Sequence, residues 1–81
     1  MKLRILFFSV LRDLTGHDEV VLDSEGCTTV NDLLVMLFAK WPKLAEWDAS
    51  LLIAVDQTYV KRDTPLHDGA EIAIMPPVQG G

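Results

Sequence analysis

The sequence is poor in cysteine and in basic residues, and it has no long apolar run. Its one cysteine, Cys27, cannot form an internal disulfide, which fits a cytoplasmic protein. Seven Lys and Arg against twelve Asp and Glu give a net charge of −5, and this balance argues against nucleic-acid binding. No apolar stretch approaches the roughly 20 residues that a membrane span needs, so we expect no membrane partner.

Residues that could carry chemistry are also sparse. His17 and His67 fall in separate predicted loops without metal-ligand spacing, so no metal site is expected. Cys27 has no neighbouring His or basic residue that would activate its thiol, which indicates an inert cysteine. The sequence lacks a Gly-rich phosphate-binding loop, so we expect no bound cofactor. A chain of 81 residues forms one domain with a modest core and no deep active-site cleft.

Hydrophobic periodicity predicts five short strands around one main helix. A single helical turn closed by Gly16 follows the first strand, and Asp56 and Gln57 form a two-residue turn that lacks glycine. Strands grouped around a single helix indicate an α+β fold, with the helix packed on one face of the sheet. The predicted order is β-β-α-β-β-β, over residues 2–8, 19–23, 30–41, 51–55, 58–61 and 71–75.

The main helix has a clear start, stripe and end. Thr29 and Asp32 match a capping box, and Pro42 ends the helix. Its apolar stripe is formed by Val30, Leu33, Leu34, Leu37, Phe38 and Trp41. Residues 43–50 are expected to wrap back over the core, and Trp41 and Trp47 are interpreted as core aromatics.

The composition of the last six residues suits a segment that enters a narrow site in another protein. Pro76 and Pro77 fix φ twice directly after a strand and favour an extended exit. Residues 78–81 then add a reach of about 13 Å at roughly 3.3 Å per residue, and Gly80 and Gly81 present no side chains. The Gly81 carboxylate is a poor electrophile at neutral pH, so acyl chemistry would require activation by a partner enzyme.

Strand alternation leaves three large apolar residues on the predicted open face of the sheet. Phe8 shares its face with Lys2 and Arg4, while Met75 falls with Glu71 and Tyr59 falls with Lys61. Apolar side chains at strand ends on an open face indicate a docking patch. The alternative is that they are scattered surface apolar residues.

Several motifs together resemble the small subunit of molybdopterin synthase. They span the chain: residues 5–8, 11–16, 55–58 and 66–72, and the Pro-Pro-Val-x-Gly-Gly end of residues 76–81. The terminal motif and the Asp68-Gly69-x-Glu71 pattern are the most specific of these. The chain departs from the expected pattern at Asp56, where we expect Asn.

The resemblance implies a fold and a division of the chain. The fold is a ubiquitin-like β-grasp, with a mixed sheet, one main helix on one face and an extended C-terminal tail. Residues 1–77 would form the β-grasp domain and residues 78–81 a flexible tail.

The resemblance also implies the chemistry of a sulfur carrier in molybdenum cofactor biosynthesis. An adenylating enzyme of the ubiquitin-activating type, using ATP, would convert the Gly81 carboxylate to an acyl-adenylate. A sulfur donor protein would then make it a thiocarboxylate. The tail would enter the large synthase subunit, in a 2:2 heterotetramer, and donate sulfur to cyclic pyranopterin monophosphate to form the molybdopterin dithiolene.

Under this interpretation the chain is the sulfur-donating, non-catalytic subunit of the synthase, and its reacting group is the Gly81 terminus with Gly80 beside it. The residues expected to bind partners are Phe8, Tyr59, Met75, Pro76, Pro77 and Val78.

Three other functions fit the same sequence. A protein modifier would join Gly81 to target lysines by an isopeptide bond, and it would need the same activation. A sulfur carrier for another pathway, such as thiamine synthesis, is a second alternative, although those carriers are usually shorter and lack the Pro-Pro exit. An ordinary binding module with a chance Gly-Gly end is the third.

Overall fold

A computed structural model of the protein describes residues 1–77. Within that range the strands are β1 (Lys2–Phe7), β2 (Glu19–Asp23), β3 (Leu52–Val55), β4 (Thr58–Tyr59) and β5 (Ala70–Met75). The helices are α1 (Val10–Thr15), α2 (Val30–Lys40) and α3 (Pro42–Ala45), with a 3₁₀ turn at Asp48–Ser50. The predicted order of strands and main helix is confirmed. The predicted tail, residues 78–81, lies outside the described residues.

The five described strands form one mixed sheet in the order β2-β1-β5-β3-β4. The central pair, β1 and β5, is parallel, with Ile5 opposite Ile72, and the remaining pairs are antiparallel. Because the two central strands are parallel, their C-terminal ends lie side by side, with Phe7 opposite Ile74. The exit of β5 toward Pro76 therefore lies beside the end of β1.

Helix α2 covers one face of this sheet. Its capping box is confirmed: the Asp32 N–H donates to Thr29 Oγ1 at 3.3 Å, and the Thr29 N–H donates to Asp32 Oδ2 at 3.1 Å. Val30, Leu33, Leu34 and Leu37 are fully buried, while Phe38 and Trp41 are partly buried at the edge of the stripe. The sheet contributes Leu3, Ile5, Phe7, Ile53, Val55, Ala70, Ile72 and Ile74 to the same core.

Strand β4 is shorter than the predicted range 58–61. A last bond to β3 follows the strand, from the Val60 N–H to the Ile53 carbonyl at 3.1 Å. Beyond it, the carbonyls of Arg62 and Thr64 accept hydrogen bonds from Asn31 and Val30, at 2.8 and 3.0 Å. These donors are amide groups of the first turn of α2, which have no partner inside the helix. The requirement to satisfy that helix terminus ends the strand early.

The β3–β4 turn forms as predicted, without glycine. Asp56 and Gln57 both adopt positive φ, at 49° and 71°, and both amide planes follow the twist that a two-residue hairpin needs. The Asp56 N–H donates to the Glu71 carbonyl at 2.8 Å, and the Glu71 N–H donates to the Asp56 carboxylate at 3.1 Å. These bonds to β5 hold the turn in a conformation that Gln favours poorly.

Residues 41–51 wrap back over the core, as expected, through α3 and the 3₁₀ turn. Pro42 ends α2 and occupies the first turn of α3, where its missing N–H has no cost. Leu44 is fully buried, and Trp41 packs edge-on against Phe7 with ring centroids 5.4 Å apart. Trp41 is therefore a core-edge aromatic, as predicted.

Candidate functional site

The face of the sheet opposite α2 carries an apolar band. Strand register places Leu6 opposite Ala73, Ala73 opposite Ala54, and Ala54 opposite Tyr59. The small side chains at the middle of this row make the face shallow. Tyr59 ends the row with 67% of its surface exposed. Such a flat apolar strip suits contact with another protein.

A groove lies at the end of this face, where the chain leaves β5. It has a volume of about 510 Å³ and is lined by Phe8, Ser9, Val10, Trp47, Met75, Pro76 and Pro77. No lining residue carries a charge, and Ser9 alone has a polar side chain. We call this the tail-root groove, because Pro77 directly precedes residues 78–81.

Local backbone structure fixes the position of Phe8. Its N–H donates to the Ile74 carbonyl at 3.3 Å, which continues the pairing of β1 with β5 by one residue. Ser9 then takes a positive φ of 54°, which turns the chain sharply into α1, and the Phe8 carbonyl accepts from the Leu11 N–H at 3.1 Å. Phe8 is thereby left at the sheet edge with 43% of its surface exposed.

Five of the six predicted partner-binding residues lie in the described range. The structure brings four of them together and places the fifth, Tyr59, elsewhere. Phe8, Met75, Pro76 and Pro77 all line the tail-root groove, with the last three half-buried. Tyr59 lies instead in a second hollow of about 440 Å³, lined by Leu51, Leu52, Ile53, Tyr59, Val60 and Arg62. The predicted residues Val78, Gly80 and Gly81 lie outside the described range.

Leu52 connects the two hollows. It pairs directly with Met75 across β3 and β5, and it also lines the second hollow beside Tyr59. Alternation along β1 already placed Leu6 on the face of Phe8, but the pairing of Leu52 with Met75 depends on strand register. No local signal in the sequence reveals that register.

Trp47 is a groove residue that sequence reasoning missed. We interpreted it as a core aromatic, and it does pack against the core with part of its surface. It also forms a wall of the tail-root groove. Its position comes from the α3 and 3₁₀ segments, which have no periodicity that could reveal which way the indole faces.

The other end of the open face is charged. Arg4 Nη2 lies 3.0 Å from Glu19 Oε1, and Arg4 Nη1 lies 3.9 Å from Glu71 Oε2. The hydrogen bond to Glu19, helped by both carboxylate charges, raises the pKa of the Arg4 guanidinium. The open face therefore has an apolar end at the tail root and an ion-paired end at the start of β1.

An Asp–His pair lies beside this charged end. His67 Nε2 is 2.5 Å from Asp56 Oδ2, and His67 Nδ1 is 2.9 Å from the Asp68 carbonyl oxygen. The hydrogen bond to Asp56 raises the pKa of His67, with a further contribution from the Asp68 carbonyl. The bond from His67, followed by the Glu71 N–H, lowers the pKa of Asp56.

The described residues offer little for metal or redox chemistry. Among residues 1–77 no group of three or more His, Cys, Asp or Glu side chains could hold a metal ion together. Cys27 is 4% exposed, with its Sγ 3.5 Å from Ser24 Oγ, as fits the inert thiol that we expected. None of the helices in this range is long and apolar enough to cross a membrane.

Sheet order, covering helix and open face together define a ubiquitin-like β-grasp protein, as predicted. Residues 5–81 match the ThiS family, and the chain belongs to that family. It is 41% identical over 81 residues to the molybdopterin synthase sulfur carrier subunit of Escherichia coli (strain K12), an alignment that covers 98% of this chain and 99% of that protein.

Two solved structures extend the comparison. One is a chain of the complex of subunits 1 and 2 of molybdopterin-converting factor from Helicobacter pylori 26695, with 26% identity, a TM-score of 0.72 and full coverage of both chains. The other is the small archaeal modifier protein 1 from Methanosarcina acetivorans, with 27% identity and a TM-score of 0.82, covering 99% of this chain and 96% of that one.

Proposed function

We propose that this chain is the sulfur carrier subunit of a molybdopterin synthase, acting in molybdenum cofactor biosynthesis through its Gly81 carboxylate. The observation that carries the proposal is the uncharged tail-root groove, which adjoins Pro77 at the point where the Gly-Gly tail begins. A partner that binds this groove receives the tail at a fixed place. Similarity to the Escherichia coli subunit over nearly the whole of both chains supports the same conclusion.

The proposed chemistry begins with activation by a separate enzyme. A Gly81 carboxylate oxygen bonds to the α-phosphorus of ATP and pyrophosphate leaves, which gives an acyl-adenylate. Sulfide-level sulfur from a sulfur donor protein then attacks the acyl carbon. The carbon–sulfur bond forms as the bond to AMP breaks, AMP and a proton leave, and the terminus becomes a thiocarboxylate. This chain binds no cofactor in the scheme, and its residues orient the tail and dock the partners.

The thiocarboxylate then serves as the sulfur source in the large synthase subunit. At neutral pH a thiocarboxylate is a far better nucleophile than a carboxylate, so the terminus attacks an oxygen-bearing carbon of cyclic pyranopterin monophosphate. A carbon–sulfur bond forms as a carbon–oxygen bond breaks, and the oxygen leaves with the phosphate group or as water. The two sulfurs of the dithiolene require two such transfers, each from one thiocarboxylated chain. Cleavage of the acyl–sulfur bond by water leaves sulfur on the pterin and regenerates the Gly81 carboxylate. We propose a cytoplasmic 2:2 assembly with the large subunit, which supplies the catalytic groups.

The open face supports docking to two partners in turn. Both the adenylating enzyme and the large subunit must accept the same tail, so both must cover the surface around Pro77. Phe8 and Met75 are the large apolar side chains there, and Tyr59 extends the contact along the sheet. We infer that the two partners compete for this face, because one copy of the tail serves one slot at a time.

The mass of the intact chain tests the proposal. Protein purified from its native cell should contain a fraction in which one terminal oxygen is replaced by sulfur, and a Gly81→Val variant should contain none. A bulky Cβ at this position blocks a slot that admits backbone alone. A chain lacking Gly81 that still supported molybdopterin formation with the large subunit would refute the carrier role.

Protein modification is the second candidate, favoured by the similarity to small archaeal modifier protein 1. In that case activated Gly81 would form an isopeptide bond with lysine side chains of other proteins. Tagged chain expressed in its native cell would then appear in covalent bands that resist denaturation and disappear in the Gly81→Val variant. A sulfur carrier without this second role gives the thiocarboxylate mass and no such bands.

A further inference from the structure

Given the proposed function, the length of the tail limits where the partner can lie. Four residues follow Pro77, and fully extended they span about 13 Å at roughly 3.3 Å each. A slot that processes Gly81 must open within that distance of Pro77. The body of the partner must therefore press against the surface from which the tail emerges, and that surface is the tail-root groove.

Trp47 is the largest side chain in this groove, and it was not expected there. It is half-buried, with one part packed on the core and another part open to the groove. The partner-facing wall that it forms is apolar, next to Met75 and Phe8. A large, rigid and partly exposed aromatic side chain at the centre of a contact surface is the typical composition of a binding hot spot.

Several bonds hold Trp47 in place before any partner arrives. The Trp47 N–H donates to the Leu44 carbonyl at 3.0 Å, and the Trp47 carbonyl accepts from the Ser50 N–H at 2.8 Å. The next residue, Asp48, is bound by the Arg62 guanidinium at both its carboxylate and its carbonyl oxygen. Arg62 thus fastens the 3₁₀ turn to the chain that leaves β4, and the backbone that carries the indole is held in place before a partner binds.

The other tryptophan shows what a purely structural role looks like in the same domain. Trp41 contacts Phe7 edge-on at 5.4 Å and His17 at 6.0 Å, and the Lys40 ammonium lies 5.2 Å from its ring centroid. It does not line the tail-root groove. Both indoles are partly exposed, but Trp47 lines the tail-root groove and Trp41 does not.

We propose that Trp47 is a docking residue that receives an apolar side chain of the large synthase subunit, and that Arg62 is its positioning residue. We commit to the large subunit as the occupant because a relative has been solved as a complex of subunits 1 and 2. An uncharged groove suits an apolar side chain of such a protein partner.

Fluorine NMR tests the contact in a chain that keeps both tryptophans. The chain is produced with 5-fluorotryptophan, and its two resonances are assigned with the Trp41→Phe and Trp47→Phe variants. On addition of the unlabelled large subunit, the Trp47 resonance should shift and the Trp41 resonance should stay in place. A complex that forms while the Trp47 resonance is unmoved would overturn the proposal.

Paired variants then measure the contribution to affinity. Trp47→Ala should weaken binding to the large subunit by about tenfold or more, as for a hot-spot residue, whereas Trp41→Ala should lower the melting temperature and leave the affinity of the folded fraction unchanged. Trp47→Leu keeps apolar packing on the core, so a folded variant is available if Trp47→Ala unfolds. Equal affinities for Trp47→Leu and the unsubstituted chain would refute a docking role.

Arg62 requires a readout that stability alone does not move. Arg62→Met should shift the Trp47 fluorine resonance in the free chain and weaken binding to the large subunit, with Arg62→Lys intermediate because an ammonium does not reproduce the forked contact. An unmoved resonance in Arg62→Met would refute the positioning role. If the unsubstituted chain does not bind the large subunit at all, the proposed function fails, and Trp47 docking fails with it.

Discussion

Phe7 and Phe8 are neighbours in sequence, yet they lie on opposite faces of the sheet and face different kinds of partner. Phe7 is 2% exposed and packs beneath α2, while Phe8 is 43% exposed and lines the tail-root groove. The apolar side chains of the covered face are buried within this chain. The open face carries a side chain of the same type that this chain leaves exposed.

The two faces also differ in the polarity of their side chains. In β1 and β5 each buried residue of the covered face is followed by one that is exposed or half-buried. The buried positions are apolar because a polar group packed against the helix would lose its contact with water. On the open face, Arg4 and Glu71 occupy the same strands as Leu6 and Met75. The open face changes from charged at one end to apolar at the end near the tail, whereas the core is apolar throughout.

The largest expected effect is on the covered side. Phe7→Asp places a carboxylate in the core, and the loss of about 3–5 kcal/mol for a buried Phe, with charge burial in addition, approaches the whole stability of a small domain. We expect a chain without a cooperative melt. Calorimetry and far-UV circular dichroism measure this directly, and a folded Phe7→Asp protein would show that the face assignment is inverted.

The neighbouring substitution sharpens the comparison. Phe8→Asp should leave the melting temperature nearly unchanged, because the side chain is already half in water, and should weaken binding to both the adenylating enzyme and the large subunit by about tenfold or more. Isothermal titration with each partner gives the affinities. Val35→Asp, an exposed residue of α2, is the matched control and should affect neither. Intact binding of Phe8→Asp to both partners would make the groove ordinary surface.

A third substitution destabilises helix α2, which covers the core, and does not change the open face. Thr29→Ala removes the side-chain half of the capping box and should lower the free energy of unfolding by about 1 kcal/mol. Affinity for both partners should not change, since α2 lies on the other side of the sheet. Urea unfolding followed by titration of the same samples tests both statements. A loss of affinity here would mean that the two faces are coupled.

The covered face was predictable from sequence because its signals are local. Alternation in residues 2–8, the capping box at Thr29 and the stripe that begins at Val30 each fall within a few neighbouring residues. The open-face side chains of Phe8, Tyr59 and Met75 also followed from alternation. Their roles in binding stay predictions.

What sequence reasoning missed depends on contacts between distant segments. Trp47 lines the groove at the tail root, and its neighbour Asp48 is bound by Arg62 from fourteen positions away. Leu52 is placed beside Met75 by strand register. The predicted strand 58–61 is short because the amides of α2 bind the carbonyls of Arg62 and Thr64. No propensity or period encodes such pairings.

The smallest expected effect concerns the charged end of the open face, where Asp56 stands in place of the Asn that we expected. Both ring nitrogens of His67 face acceptors, the Asp56 carboxylate and the Asp68 carbonyl, so both bonds are made only when the imidazole is protonated. The Asp68 carboxylate adds negative charge near the ring. The pair links the β3–β4 turn to the loop before β5.

The sign of the pH dependence follows from the two pKa shifts. The pKa of His67 is raised above its ordinary 6.5, so its contribution is complete below pH 6.5 and is lost as the pH rises through the folded-state pKa. The pKa of Asp56 is lowered below 3.8, so its contribution is present above 3.8 and is lost in acid. The pair should therefore stabilise the domain most between pH 3.8 and 6.5.

Substitution of either partner tests this dependence. The melting temperature of His67→Gln should fall below that of the unsubstituted chain by a small margin at about pH 5.5, and the margin should shrink at about pH 8.5. Asp56→Asn is the sharper control, because Asn tolerates the positive φ of the turn and still accepts from the Glu71 N–H. In that variant the His67 pKa, followed by NMR titration of the ring resonances, should move down. If the pKa of His67 were the same in Asp56→Asn as in the unsubstituted chain, the Asp56 carboxylate would not stabilise the imidazolium. The charged end of the open face would then be solvated surface.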